Sequence, residues 1–188
     1  SHSNSMHFGI DRFPDNQRRM WSGYLATVTY MDEQVGRMLN ALDELGLDKE
    51  TLVIFTSDHG YHLGEHDFWA KVSLHEESAA VPLIIKIPGK KPAVCKSLVE
   101  LLDLYPTLSN LCGLEIPKRI QGKDLTPIFE KPTHEVRDAA FSVNGKGYLL
   151  REDRWAYISY DRGGEELFDM LKDPKQYANL ADDPAHAR

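Results

Sequence analysis

Apolar residues recur along the first quarter of the chain at alternating spacings of four and three: Tyr24, Val28, Met31, Val35, Met38, Leu42 and Leu45. That spacing lays one stripe along a helix, predicted from about Asn16 to Leu45, with Asp32, Glu33, Arg37 and Glu44 on its other faces. Asp15 or Asn16 can cap its start and Gly46 its end. The Met and Tyr stripe is expected to face a core. The period then collapses. Leu52, Val53, Ile54 and Phe55 are consecutive and mostly β-favouring, which suits a parallel strand covered on both faces. This run stops abruptly at Ser57-Asp58-His59-Gly60. A second β-branched run, Val81 to Ile87, is closed by Pro88 and Gly89 and reads as another strand. Between the two runs lie roughly twenty polar-rich residues, a length typical of functional loops.

Helical spacing returns from Ser97 to Gly113 through Leu98, Leu101, Leu102, Tyr105, Leu108 and Leu111, and Pro106 should kink or segment it. Pro117 to Pro132 reads as a surface linker anchored by Leu125, Ile128 and Phe129. Beyond it the runs are short: Ala139–Val143, Gly147–Arg151, Trp155–Tyr160 and Glu166–Asp169. Asn144-Gly145, Glu152-Asp153 and Gly163-Gly164 separate them, so a small antiparallel sheet is expected. The fold class is therefore α/β, with a sheet-and-helix part over residues 1–132 and a small antiparallel β subdomain over 133–188. Residues 1–15 are polar and aperiodic, and no chemistry is assigned to His2 or His7.

With 188 residues, 41% hydrophobic and 27% charged, the chain suits a sizeable core. It has no apolar run of the ~18 residues that a transmembrane helix needs, and its N-terminus lacks a signal-peptide pattern. A net charge of −7 disfavours nucleic acid as a partner. Cys95 and Cys112 form no zinc pattern or disulfide framework and read as ordinary buried thiols.

The tip of the first strand carries the candidate chemistry. In open α/β sheets, ligands bind outside the carboxyl ends of the strands, where Asp58 and His59 fall. Asp and His are metal-ligand types, and Gly60 permits a sharp turn that lets neighbouring side chains converge. The bland alternative is a turn in which Asp58 bonds its own backbone. His62, His66 and His75 read as hydrogen-bonding or surface imidazoles, with His66 the candidate to support the ligands from behind. Glu76-Glu77 reads as a solvated face.

The ordered series Ser57-Asp58-His59-Gly60, Leu63-Gly64-Glu65-His66, Trp69-Ala70-Lys71, Val81-Pro82-Leu83-Ile84 and Pro88-Gly89 resembles type I sulfatases, nearest to their iduronate-2-sulfatase branch. Tyr30 to Arg37, Asp103 to Thr107 and the ending Glu166–Asp169, Asp173-Pro174, Asn179-Leu180 extend the match to the family's C-terminal half. The resemblance implies an alkaline-phosphatase-like fold, bound calcium, and hydrolysis of a sulfate ester by a formylglycine. Carried over, Asp58 and His59 would be metal ligands and Lys71 a catalytic, sulfate-binding residue. Asp58 suits calcium as a hard oxygen donor, whereas His59 would also permit manganese or zinc. The modification motif C-x-P-S-R, or its serine version, is absent: Cys95 precedes Lys-Ser-Leu-Val and Cys112 precedes Gly-Leu-Glu-Ile. The formylglycine, and the paired aspartates that complete the metal site, are expected in a missing N-terminal half.

The leading expectation is thus the C-terminal segment of a sulfatase acting on sulfated carbohydrate, inactive alone. Alternatives are a phosphodiesterase or phosphonate hydrolase of the same superfamily, or a non-catalytic structural module. Expected partners are the sulfated sugar and the N-terminal half, with self-association through core surface left exposed without it. The resemblance, with no N-x-S/T sequon in the chain, implies an exported bacterial enzyme, periplasmic or secreted.

Overall fold

The helix announced by the four-and-three spacing, α1, runs from Pro14 to Glu44 in the computed structural model, which describes residues 14–186. His2 and His7 lie outside the described residues. Proline opens the helix at no hydrogen-bonding cost, and Asp15 sits inside the first turn, where the helix end is electropositive. At the other end Gly46 takes a left-handed φ of 68°. Its N–H donates to the Asp43 carbonyl at 3.0 Å and the Leu47 N–H to the Leu42 carbonyl at 2.9 Å, which closes the helix as a Schellman motif.

The stripe is not the core it was expected to be. Val35 and Leu42 are half-buried, but Tyr24, Val28 and Met31 are exposed, Met38 is 69% exposed and Leu45 71%. Hydrophobic periodicity reports which face a helix can bury, and says nothing of whether this chain supplies the cover.

Two compact units form among the described residues: 14–72 with 77–90, and 73–76 with 91–186. In the first, β1 (Val53–Thr56) runs antiparallel to β4 (Leu83–Lys86), with Val53 opposite Lys86 and Thr56 opposite Leu83. The expected parallel strand covered on both faces is corrected: β1 is half-buried throughout, in a two-stranded ribbon. A continuous apolar run signals burial and not strand direction, and the long connection between β1 and β4 allows either. That connection carries a second small ladder, β2 (His62–Leu63) with β3 (Trp69–Ala70), and the short helix α2 (Glu76–Ala79). Gly64, at φ 115°, closes the ladder's tip beneath Trp69, which is buried.

In the second unit the individual helices and strands lie close to where the residue pattern places them. A tight turn at Leu101–Asp103 leads into α3 (Leu104–Leu111), and Pro106 falls in the helix's first turn, so the long helical spacing is segmented there. The linker contains one short helix, α4 (Thr126–Glu130), preceded by the fully buried Leu125. Strands β5 (Ala139–Asn144), β6 (Gly147–Glu152), β7 (Trp155–Tyr160) and β8 (Glu165–Asp169) form one antiparallel sheet in chain order. Alternation puts Leu149, Ala156, Ile158 and Phe168 on its buried face. Beside it, the fully buried Asp103 accepts from the Glu100 and Lys123 amides and pairs with Arg137, which also meets Glu100 at 2.8 Å. Residues 73–76 are held in this unit by Arg151 on Glu76 at 3.0 Å and by the Gln176 side chain on the Glu76 amide at 2.7 Å. Among the described residues no helix is long and apolar enough to cross a membrane.

Candidate metal and anion site

The turn that follows β1 is tied by its own side chains. Ser57 Oγ donates to the His59 carbonyl at 2.8 Å, and the His59 N–H donates to Asp58 Oδ1 at 3.1 Å. One carboxylate oxygen of Asp58 therefore makes the local turn bond that the bland reading anticipates. The other remains available: the side chain is 84% exposed and Oδ2 lies 3.5 Å from His59 Nε2.

The His59 tautomer follows from its partners. Nδ1 lies 2.8 Å from the Gly60 carbonyl, which can only accept, so Nδ1 carries the proton. Nε2 lies 2.7 Å from Lys71 Nζ, an ammonium that can only donate, so Nε2 offers its lone pair. The side chains of Asp58, His59 and Lys71 thus lie together in space. Lys71 follows Ala70, whose φ of 84° is unusual for a residue with a Cβ. His66 and Asp67 in the preceding loop also have positive φ, 58° and 52°. Such conformations persist where surrounding structure over-determines them, and they cluster at functional sites.

Gly60 is needed for a different reason from the one expected. Its φ is not in the left-handed range, but a Cβ there would lie 2.0 Å from the Glu77 carbonyl oxygen and 3.3 Å from that of Ala80. Its N–H donates to the Ser78 carbonyl at 2.9 Å. The turn bearing Asp58 and His59 is pressed against the backbone of residues 77–80.

The remaining histidines distribute elsewhere. His66 Nε2 lies 3.5 Å from Glu77 Oε2, both side chains being largely buried, and its ring meets His62 edge-on at 5.8 Å. His62 is fully buried and packs edge-on against Phe68. His75 pairs with Glu166 at 3.2 Å. Glu76 and Glu77 are correspondingly not a solvated face: both are tied into pairs. Glu77 is the residue that reading from sequence missed. The run Ser78-Ala79-Ala80 was the available signal, since small residues mark close backbone approach.

The donors suit part of a cation shell. Two ligands sharing one calcium ion at about 2.4 Å each stand roughly 3.4 Å apart, close to the separation of Asp58 Oδ2 and His59 Nε2. No group of three or more His, Cys, Asp or Glu residues able to hold a metal occurs among the described residues. Cys95 and Cys112 are free thiols, the first half-buried and the second exposed, so the reading of Cys112 as buried is corrected.

Comparison with known proteins gives a consistent picture. A family model described as "Sulfatase" matches residues 1–114, and one described as "N-sulphoglucosamine sulphohydrolase, C-terminal" matches residues 64–188. Human arylsulfatase K is 34% identical over 175 residues, covering 84% of this chain and 33% of that protein. A solved structure of a protein in complex with its substrate D-glucosamine-2-N,6-O-disulfate is 30% identical with a TM-score of 0.81, covering 92% of this chain and 38% of the other. The phosphonate monoester hydrolase of Silicibacter pomeroyi is 28% identical with a TM-score of 0.84, covering 95% and 40%. The chain spans about a third of the length of the curated relatives it matches.

Proposed function

The chain belongs to the sulfatase family and has the mixed α/β architecture of its alkaline-phosphatase-like fold, and on that premise we propose that it supplies part of the active site of a sulfate-ester hydrolase acting on sulfated carbohydrate. The observation that carries this reading is the convergence of Asp58, His59 and Lys71, 12 and 13 residues apart in sequence, on one solvent-facing point. The sugar class is supported by the glucosamine disulfate held by a structural relative.

Asp58 Oδ2 and His59 Nε2 would hold the divalent cation, calcium in the family this chain resembles. A bound cation supplies positive charge that orients the anionic ester and stabilises charge developing on it. This chain's residues do the rest of the work assigned to them. Asp58 is held by the His59 amide, so one oxygen fixes the turn while the other faces the site. The Gly60 carbonyl holds the His59 ring in the tautomer that presents a lone pair at Nε2. Lys71 places a point charge with three donors beside it, and sulfate oxygens, which offer no single planar edge, suit such a donor. That lone pair can serve Lys71 or a cation, but not both at once.

Hydrolysis converts a sulfate ester and water into an alcohol and sulfate. The nucleophile has no counterpart here, because neither cysteine stands in a C-x-P-S-R motif. We assign it, with further metal ligands, to a partner segment outside these 188 residues. Export to a periplasmic or extracellular space is part of the same proposal.

A second reading keeps the site and changes the ester. The likeness to one phosphonate monoester hydrolase, with a TM-score of 0.84, is as close in backbone as that to two sulfatase structures at 0.83, and a second such hydrolase stands at 0.72. Chromogenic sulfate and phosphonate esters offered in parallel to the assembled enzyme decide between them. Preference for the sulfate in kcat/KM is expected, and preference for the phosphonate transfers the assignment.

A further inference from the structure

We propose that Glu77, clasped by His66, is the positioning residue of the Asp58–His59 turn, an inference that rests on those two residues being the cation's ligands. The clasp acts through Gly60. Its N–H is bound to the Ser78 carbonyl at 2.9 Å, and its α-carbon lies so close to the Glu77 carbonyl that no Cβ fits between them. The Gly60 carbonyl in turn accepts a hydrogen bond from His59 Nδ1–H. Displacement of residues 77–78 therefore moves the peptide that sets both the position of His59 and the direction of its Nε2 lone pair.

α2 cannot hold those residues by itself, being four residues long, well below the length at which an isolated helix persists. The Glu77 side chain adds a restraint of its own. Its Oε2 lies 3.5 Å from His66 Nε2, with 18% and 14% of the two side chains exposed. His66 is itself held by a rigid mount: a left-handed backbone at φ 58°, the Phe68 N–H donating to the Glu65 carbonyl at 3.0 Å, and the Gly64 N–H donating to the Phe68 carbonyl at 3.1 Å. The same loop leads through Trp69 and Ala70 to Lys71. The close approach of Glu77 and His66 thus ties the turn bearing the cation ligands to the loop bearing the anion-binding lysine. Buried polar groups of this kind are costly to leave without their neighbour.

The test is amide hydrogen exchange on the full chain without added metal, comparing wild type with Glu77→Gln, His66→Gln and the double variant. Exchange over residues 57–61 is expected to accelerate about tenfold in each single variant and no further in the double, since both remove one interaction. Unchanged exchange there overturns the proposal, as do single effects that multiply in the double variant. Equal acceleration in Val53–Thr56 and Leu83–Lys86 overturns it as well, because that marks general loosening. Calcium titration of the same proteins supplies a second readout, with Glu77→Gln expected to bind about tenfold more weakly. Local acceleration at 57–61 with no calcium binding by wild type would support the clasp and overturn the metal assignment alone.

Discussion

Lys71 Nζ donates to His59 Nε2 across 2.7 Å, so the lone pair assigned to a cation is also the acceptor for the ammonium assigned to the anion. Replacing Lys71 should therefore separate two properties that usually fall together. In the assembled enzyme, Lys71→Ala loses a charge-assisted contact of about 1.5–3 kcal/mol, roughly ten- to a hundredfold in kcat/KM. Calcium affinity of the same variant should rise, because a competitor and a like charge are both removed. Unchanged kcat/KM would take Lys71 out of the site, and weaker calcium binding would break the link between the two residues.

Two glycine substitutions should act with opposite signs. A methyl at Gly60 meets the Glu77 carbonyl at 2.0 Å, a backbone atom that cannot swing away, so Gly60→Ala is expected to destabilise by about 1–3 kcal/mol and lower Tm by several degrees. Gly23 lies within α1 with nothing inside 4 Å of the added carbon. Gly23→Ala should stabilise by roughly 0.5–1 kcal/mol through helix entropy. Thermal unfolding of both variants checks this, and a Gly60→Ala protein as stable as wild type would show that the close approach to residues 77–80 is not rigid.

Arg137 is a single cation answering two carboxylates, with Glu100 and Asp103 both within ion-pair distance, Asp103 fully buried and the Glu100 side chain largely so. Arg137→Met leaves those charges uncompensated, which costs about 3–5 kcal/mol where a buried pair is broken. Urea unfolding followed by tryptophan fluorescence should show that loss. A change below about 1 kcal/mol would mean that solvent replaces the lost partner at little cost.

The acid sensitivity of the C-terminal sheet should depend on Asp169. A hydrogen bond from Arg154, reinforced by the Leu171 amide, holds its carboxyl below the usual carboxylate range. A carboxyl lowered in the folded state binds fewer protons there than when unfolded, so its stabilisation is present above about pH 4 and is lost as pH falls through the native value. Asp169→Asn should lower Tm at neutral pH and flatten its decline below about pH 4. A decline as steep as wild type would assign the acid sensitivity to other carboxylates.

Much of this was legible in the residues. The alternating runs from Ala139 to Asp169 located all four strands of the second unit, because alternation and turn residues are local signals. Gly46 marked the end of α1 for the same reason. Partner-dependent features were not legible. The apolar run at Val53 could not reveal that its strand pairs antiparallel with Leu83–Lys86, and the stripe on α1 could not reveal that Met38 and Leu45 stay exposed. An ordered motif singled out Asp58, His59 and Lys71 as candidates, whereas Glu77 left only the indirect signal of the small residues after it, since its contact with Gly60 exists only in the folded chain.

Turnover of a chromogenic sulfate ester tests the assignment most directly, measured with this chain alone, with this chain co-expressed beside a relative's C-x-P-S-R-bearing segment, and with its Asp58→Ala variant in that pairing. The expected result is no turnover by the chain alone, saturable calcium-dependent turnover by the pair, and a loss of at least about a hundredfold with Asp58→Ala, in line with removal of a charge-stabilising group. Turnover by the chain alone, or a pair indifferent to Asp58→Ala, would contradict it.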